Sequence, residues 1–333
     1  MKKSLQDIRY SVLDLSPIKE GEEATHALRN SLDLAQHAEK WGFNRYWVAE
    51  HHSMPGIASS ATSVVIGHIA GGTSTIRVGS GGIMLPNHSP LIIAEHFGTL
   101  ESLYPGRIDL GLGRAPGTDQ TTARALRREN MSNGEDFPEQ VDELRQYFQP
   151  VEQQPVRAIP GEGLHVPIWL LGSSGFSARL AAQLGLPFSF ASHFSPDNTL
   201  PALDVYRRNF KASEELAKPY AMVGVNIIAA DTEEQAQFIA TSMQQQFLNL
   251  IRGIPSKLKA PVSSMEGLWS PFEKATLMQQ LRTTFIGTKE TIAEKLQTFI
   301  EETQADELIV NAQIYDHEAR LRSYELVSEL MKK

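Results

Sequence analysis

Short apolar runs alternate with amphipathic stretches along most of this chain. Eight of the runs are rich in β-branched or alternating apolar residues, which is typical of buried strands. They cover residues 10–13, 45–49, 76–85, 107–112, 167–171, 188–191, 222–229 and 307–311. Because strands that alternate with helices form parallel sheets, eight such units predict an α/β fold that closes as a (β/α)8 TIM barrel.

The stretches between the runs have the period of a helix. In the first of them Leu28 and Leu32 lie one helical turn apart, while charged residues occupy the opposite side. Gly42 and Gly185 follow two such stretches and predict that helices end there. Thr288 precedes a later stretch and is the predicted N-cap of its helix.

The sequence predicts one domain over residues 1–333, with an insertion at about 232–287, before the last strand. This segment is too long for one crossover, since it holds a helix-like stretch at 233–252, a loop and a second amphipathic piece. Long loops at the carboxyl end of a barrel often act as lids over a substrate, although a simple extension of the packing would explain the segment equally well.

The composition narrows the class of protein. The chain has 333 residues, 41% of them apolar, and a formal net charge of -8, so a surface for nucleic acid is disfavoured. It contains no cysteine, which excludes disulfides, thiolate metal ligands and a cysteine nucleophile. Neither a signal-peptide core nor an apolar run of about 18 residues is present, so we expect a cytoplasmic protein that does not enter the membrane.

Three of the eight runs end in polar clusters. The second run ends in Glu50-His51-His52, the fourth reaches Arg114 in a glycine-rich loop, and the fifth ends in Gly172-Ser173-Ser174. Ligands bind at the carboxyl ends of parallel strands, so the three clusters predict one shared site and hence an enzyme.

The two histidines after the second run have different predicted roles. Adjacent side chains on a strand point to opposite faces, so at most one of His51 and His52 faces the barrel mouth, and a metal site that uses both is disfavoured. An imidazole at this place can act as a general acid or base, or can merely hydrogen-bond its loop. The spacing leaves both interpretations open.

Glycines interrupt the third run at Gly79, Gly81 and Gly82. A glycine within a strand often marks a bulge or the close approach of a ligand. A flat ring lying against Gly81 and Gly82 would explain the pattern, and so would a bulge that serves only the curvature of the barrel.

The turn at 172–177 is a candidate anion site. Free backbone N–H groups, serine hydroxyls and the positive end of a helix that begins near Ser177 would all favour a phosphate there. Arg114 would add a bidentate charged donor. Serines at such a position are also common as plain N-caps. The glycines of residues 111–117 lack the spacing of the dinucleotide fingerprint, so we infer no nicotinamide site.

Four segments together resemble the bacterial luciferase-like, flavin-dependent monooxygenase family, and in particular its non-luminescent, single-gene branch. They are RYWVAEHHSMPG at 45–56, IRVGSGGIMLPNHSPLIIAEHFGTLESLYPGRIDLGLGRAPG at 76–117, IWLLGSSGFSARLAAQLGLPFSFASHF at 168–194 and FIGTKETIAEKL at 285–296. The first three are specific in combination, and the fourth is a generic helix start.

The resemblance implies a barrel that binds FMN at its carboxyl end. Arg114 matches the arginine that binds the flavin phosphate in that family. The phosphate-binding loop of the family matches Gly172, Ser173, Ser174 and Ser177.

The resemblance also implies roles for the second and third strand ends. His51 matches the active-site base of the family, and Gly81 and Gly82 match a pair joined by a cis peptide bond beneath the flavin ring. A reactive cysteine found in luciferase is Gly113 here, so any role of that thiol is absent.

By resemblance, the chain is predicted to be a two-component monooxygenase. Reduced FMN from a separate flavin reductase would react with dioxygen here, and one oxygen atom would pass to a small organic substrate. Some family members use deazaflavin instead, which the sequence does not exclude. A metal-dependent TIM-barrel hydrolase and a non-catalytic flavin-binding protein are the alternatives. A homodimer is expected through 58–70 and 91–103, although these stretches could also simply pack on the barrel.

Overall fold

The computed structural model describes residues 3–115, 119–126, 134–150 and 155–332. Within these ranges lie ten strands and eleven α-helices. The strands are β1 Arg9–Asp14, β2 Arg45–Val48, β3 Arg77–Ser80, β4 Ile83–Met84, β5 Ile108–Gly113, β6 Ile168–Gly172, β7 Phe188–Phe190, β8 Ala221–Ala229, β9 Thr284–Gly287 and β10 Glu307–Asn311. The helices are α1 Ala24–Trp41, α2 Thr62–Gly71, α3 Pro90–Leu103, α4 Gln120–Leu126, α5 Phe137–Phe148, α6 Gly175–Leu184, α7 Thr199–Asn209, α8 Glu233–Ile251, α9 Pro271–Gln280, α10 Lys289–Thr303 and α11 His317–Leu330.

Eight of the strands form a closed parallel barrel. Their order around it is β1, β2, β3, β5, β6, β7, β8 and β10. Val310 of β10 pairs with Val12 of β1 and also with Val225 of β8, so the sheet has no free edge at this point. The predicted (β/α)8 TIM barrel is therefore confirmed.

Two details of the sheet differ from the sequence prediction. The third run is divided at Gly81, where β3 ends and β4 starts, and the Gly81–Gly82 peptide bond is cis. A further strand, β9, lies inside the segment predicted as an insertion. It forms because β8 is nine residues long, and its last four residues, from Asn226, pair with β9.

The helix boundaries follow the predicted caps. Gly42 and Gly185 both have left-handed backbones, with φ of 88° and 65°, and end α1 and α6. Thr288 caps α10, because its hydroxyl accepts a hydrogen bond from the Thr291 amide. In the part of the chain that the structure describes, no helix is both long and apolar enough to cross a lipid bilayer.

The interior has two apolar layers. The larger layer lies between the strands and the surrounding helices. The smaller one fills the barrel itself and includes Leu13, Trp47, Trp169, Met222 and Ile309. The Trp47 and Trp169 rings meet edge to face, with centroids 5.2 Å apart. This inner layer forms a solid floor under the carboxyl ends of the strands.

A buried ionic cluster closes the opposite, amino end of the barrel. Arg45 donates to Asp109 at 2.6 Å and to Glu307 at 2.8 Å, and its guanidinium lies 4.7 Å from the Trp169 ring centroid. Burial lowers the pKa of Arg45, but Asp109 and Glu307 outweigh this and raise it above its usual value. The cluster is far along the strands from their carboxyl ends, so we assign it to the stability of the barrel.

Candidate active site

The carboxyl ends of the strands open into a cavity of about 640 Å³. This volume lies within the range of about 300–1,000 Å³ that is usual for small-molecule sites. Leu13, Trp47 and Leu171 of the barrel form part of its lining, and Phe247 and Leu250 of α8 contribute to its wall. The segment after β8, predicted as an insertion, thus takes part in the cavity.

Most of the predicted site residues meet in this one cavity. Those that line it are His51, Gly81, Arg114, Gly172, Ser173, Ser174 and Ser177. Gly82 is joined to Gly81 by the cis peptide bond but is not part of the lining. Of the glycine-rich run after β5, Pro116 and Gly117 lie outside the described residues.

The packing of the barrel requires Gly82, and a side chain at Gly81 would displace Leu13. A Cβ atom at Gly81 would lie 2.7 Å from Leu13 Cδ1, and one at Gly82 would lie 2.7 Å from the Gly111 carbonyl oxygen. Both contacts are too close for real Cβ atoms. The two interpretations of the sequence are therefore compatible, because strand packing demands Gly82 while Gly81 faces the cavity.

Arg114 stands at the amino end of α6. It follows the last residue of β5, and its guanidinium carbon lies 4.2 Å from the centroid of the Phe176 ring. Phe176 is the second residue of α6. A guanidinium that lies over the face of a ring can still donate hydrogen bonds from the N–H groups in its own plane. The structure thus brings together the two elements that the sequence predicted to share an anion.

The first turn of α6 is open to a ligand. The helix begins at Gly175, slightly earlier than the predicted start near Ser177, and the side chain of its N-cap residue, Ser174, makes no capping hydrogen bond. The first N–H groups of a helix have no partner within it, and they carry the positive end of the dipole. A Cβ at Gly172 would lie 2.6 Å from Ser177 Cβ, so glycine is needed for α6 to approach the strand end.

His51 and His52 face different sides, as predicted. His51 lines the cavity, whereas His52 Nε2 bonds the Glu50 carboxylate at 2.7 Å. Burial lowers the pKa of His51, although the Ala49 carbonyl and Glu50 act in the opposite direction. His51 is therefore neutral at pH 7. Its Nδ1 is buried and has no hydrogen-bond partner among the described residues.

The backbone around His51 is held by a hydrogen-bonded cluster around Glu50. One Glu50 oxygen accepts bonds from His52 and, at 2.8 Å, from His88, while the other accepts the Met84 amide at 3.1 Å. The Glu50 amide in turn donates to the Gly82 carbonyl at 3.2 Å. The cluster therefore links the loop that carries His51 to the loop that carries the cis peptide bond.

The same cluster has the residue types of a metal site. Glu50, His52 and His88 bring three possible ligand atoms within 4.8 Å of one another. His88 was not singled out from the sequence, because it lies 36 residues beyond His52. Glu50, His52 and His88 are not among the described residues that line the cavity.

Two further residues of the site, Phe176 and His193, were not predicted from the sequence. Phe176 gives no signal in the sequence, because its partner Arg114 is on another strand end. His193 also lines the cavity. The sequence feature that could have pointed to His193 is Gly224, a glycine within the apolar run that forms β8.

The chain is similar to known proteins over nearly its whole length. A profile of the family described as luciferase-like monooxygenase matches residues 8–307. A luciferase-like monooxygenase of Escherichia coli K12 is 56% identical over 324 residues, which are 97% of each chain. YvbT, an uncharacterized protein of Bacillus subtilis, is 63% identical over 330 residues, which are 98% of each chain. N-acetyl-S-alkylcysteine monooxygenase of B. subtilis is 34% identical over 332 residues, which are 97% of this chain and 98% of that one.

Solved structures share the fold. The crystal structure of apo-MsnO8 has a TM-score of 0.88 at 33% identity and covers 97% of this chain and 98% of its own. The oxygenating constituent of 3,6-diketocamphane monooxygenase from Pseudomonas putida, solved in complex with FMN, has a TM-score of 0.73 at 19% identity, with 97% of each chain covered. At that identity the second likeness concerns the fold alone.

Proposed function

Because this chain belongs to the luciferase-like monooxygenase family, we propose that it is the oxygenase component of a two-component, FMN-dependent monooxygenase. A separate flavin reductase supplies reduced FMN, and one atom of dioxygen enters a small organic substrate while the other leaves as water. Two electrons from reduced FMN balance this reaction. The names of its relatives support a monooxygenase, and one structural neighbour was solved with FMN.

The relation between Arg114 and α6 carries the proposal. A guanidinium fixed 4.2 Å from the Phe176 ring, beside a helix N-terminus whose cap residue makes no side-chain bond, suits a phosphate dianion. In this proposal Arg114 binds the phosphate of FMN. The other phosphate-binding residues are Gly172, Ser173, Ser174 and Ser177.

The proposed place of the flavin ring is the part of the cavity beside Gly81. Glycines there expose backbone rather than side chains, so a flat ring can lie against them. The solid floor of the barrel and the wall from α8 would exclude water from the bound ring. When bound, reduced FMN supplies the electrons that activate dioxygen.

The proposed role of His51 is proton transfer. Its imidazole is neutral at pH 7 because burial lowers its pKa, so it can accept a proton and return it. The bonds from the His51 amide to the Ser59 carbonyl, at 3.1 Å, and from Ser60 Oγ to the His51 carbonyl, at 2.9 Å, hold its backbone in place. A held backbone keeps the imidazole directed at one position in the cavity.

The alternative of a metal-dependent hydrolase has less support. It requires a metal that faces the substrate, whereas Glu50, His52 and His88 are not part of the cavity lining. The alternative of a flavin-binding protein without catalysis differs from our proposal in the role of His51.

We also propose a homodimer that pairs through α2 and α3. Val64 of α2 is 70% exposed, and Ile92 and Leu103 of α3 are 42% and 63% exposed. Apolar side chains that are exposed on neighbouring helices favour contact with another protein surface. A cytoplasmic location remains a prediction from the sequence.

Cofactor titrations test the proposal. Oxidised FMN, reduced FMN and a deazaflavin are added to the apo-protein of the wild type, of Arg114→Ala and of the exposed control Arg208→Ala. We expect the wild type and the control to bind FMN, and Arg114→Ala to bind it more weakly by about 1.5–3 kcal/mol, the value of a hydrogen bond to a charged group. Equal affinity of all three proteins, or preference for deazaflavin, would contradict the assignment.

A further inference from the structure

A second imidazole faces the cavity from the wall opposite His51. His193 follows β7, and both histidines line the cavity. In the closed barrel β2 and β7 are four strands apart, whichever way around the ring one counts, so their ends lie on opposite sides of the mouth. The predicted flavin-binding ends of β3, β5 and β6 lie on one arc between the two histidines.

The backbone of His193 is fixed on both sides. Its amide donates to the Gly224 carbonyl of β8 at 2.8 Å, and the Thr283 hydroxyl donates to the Ser192 carbonyl at 2.7 Å. The Ala191 amide donates to Gly172 of β6 at 2.9 Å. The side chain of His193 therefore projects from a rigid turn rather than from a free loop.

Gly224 leaves the space that the imidazole occupies. A Cβ atom at Gly224 would lie 2.3 Å from His193 Nδ1 and 2.8 Å from its Cε1. Gly224 lies in the middle of β8, where the neighbouring residues are Val223 and Val225, and a glycine in a buried strand costs stability. The barrel bears this cost at the position that admits the ring of His193.

The imidazole of His193 is polar but uncharged. Burial lowers its pKa to about 4, so it is neutral at physiological pH. Its Nδ1 is buried against Gly224 and has no hydrogen-bond partner among the described residues. Nε2 is therefore the ring nitrogen that can meet a ligand in the cavity, as a donor or an acceptor according to the tautomer.

The surroundings in the cavity are mainly apolar. Phe194, Phe247, Leu250 and Ile251 line it, and Arg114 is the one permanently charged side chain among the described residues of the lining. Our proposed function assigns that arginine to the flavin phosphate, so among the described lining residues no other permanently charged side chain is left to neutralise an ionic substrate.

We propose that His193 is a substrate-binding residue, and that the organic substrate is an uncharged, mainly apolar molecule with a hydrogen-bonding group that meets this imidazole. The inference rests on the proposed function, because it concerns the substrate of the same cavity. A neutral imidazole selects a neutral polar group, since an ion would lose its hydration without gaining a counter-charge.

Four cyclohexane probes of similar size test the inference. Cyclohexanol carries a neutral hydroxyl, methylcyclohexane has a methyl group in its place, and cyclohexanecarboxylate and cyclohexylammonium carry charges. Dissociation constants are measured by ligand-observed NMR on the FMN-loaded protein and on the apo-protein. The proteins are the wild type, His193→Gln, His193→Phe and the exposed control His165→Gln.

We expect the wild type, His193→Gln and the control to bind cyclohexanol about three- to tenfold more tightly than methylcyclohexane, the value of one neutral hydrogen bond. His193→Phe should lose this preference. Gly224→Ala should lose it too, although it retains His193, because the added methyl group displaces the ring. The two charged probes should bind at least tenfold more weakly than cyclohexanol.

Three results would overturn the inference. They are an unchanged preference for cyclohexanol in both His193→Phe and Gly224→Ala, binding of a charged probe as tight as that of cyclohexanol, and no binding of any probe to the wild type. Failure of FMN to bind the wild type would instead refute the proposed function, since the probe measurements on the apo-protein do not depend on FMN.

Discussion

The guanidinium of Arg114 stacks on the ring of Phe176, 4.2 Å from its centroid. The contact joins the residue after β5 to the first turn of α6, at the ends of two adjacent strands of the barrel. It holds a cation beside a helix N-terminus, and a side chain held in place loses less conformational freedom when it binds an anion.

Phe176 should therefore affect flavin binding without contacting the phosphate itself. We expect Phe176→Ala to weaken FMN binding about two- to fivefold, because an exposed cation–π contact contributes about 0.5–1 kcal/mol. Phe176→Leu keeps the apolar bulk but not the π face, and it should behave like the alanine variant. Fluorescence titration measures both. Wild-type affinity in both variants would show that the stacking does not position Arg114.

Replacement of His51 distinguishes a catalytic monooxygenase from a non-catalytic flavin-binding protein. We expect His51→Ala to bind FMN within about threefold of the wild type. It should lower the rate of reoxidation of bound reduced FMN by about 100-fold, because a general acid–base group is lost. Stopped-flow absorbance follows that rate, with peroxide release measured in parallel. The exposed His165→Ala serves as the control. Identical kinetics in His51→Ala and the wild type would favour the non-catalytic alternative.

The stability of the protein should fall in mild acid because of His193. Its pKa is about 4 in the folded protein and 6.5 in the unfolded chain, so between these values the unfolded chain binds more protons. The free energy of unfolding should therefore be independent of this group above pH 6.5. It should fall by roughly 3 kcal/mol between pH 6.5 and pH 4, at about 1.4 kcal/mol per pKa unit.

Urea unfolding between pH 4 and pH 8 measures this slope. The lowered pKa of His51 acts in the same direction, so the wild type should lose stability from both groups. His193→Gln should remove the His193 part and give a shallower decline. A decline equal to that of the wild type would mean that His193 is not buried as a neutral group.

Removal of Arg45 should destabilise the barrel strongly. Arg45→Met removes the guanidinium that the buried Asp109 and Glu307 share, and breaking such a cluster costs about 3–5 kcal/mol. Asp109 would keep its ion pair with Arg77, and Glu307 would keep the hydrogen bond from the Tyr220 hydroxyl. The exposed pair of Arg208 and Asp204 is the control, since Arg208→Ala should cost less than about 1 kcal/mol. Chemical denaturation measures both. A cost near zero for Arg45→Met would mean that the cluster is not buried in solution.

Removal of metal ions distinguishes the hydrolase alternative. Dialysis against EDTA should leave FMN affinity and the rate of reoxidation of reduced FMN unchanged, because Glu50, His52 and His88 lie outside the cavity lining. Loss of either property, restored by added zinc or manganese, would favour a metal-dependent reaction.

The sequence by itself determined the strands and the helices that build this fold. Hydrophobic period is a local property, and each of the eight predicted runs carries it within four to ten residues. Gly42, Gly185 and Thr288 end or begin helices through backbone and capping geometry that needs no distant partner. The division at Gly81 and the short β9 were not predicted, because pairing with a neighbouring strand decides where a short strand ends.

Only the tertiary structure decided which side chains meet. Arg114 and Phe176 are 62 residues apart, and His193 and Gly224 are 31 residues apart, so no periodicity within one segment relates them. Closure of the barrel brings the ends of these strands to one mouth, and close packing then sets which neighbour each side chain contacts. Long-range contacts of this kind depend on the shape of the whole core, which a local pattern of apolar residues does not encode.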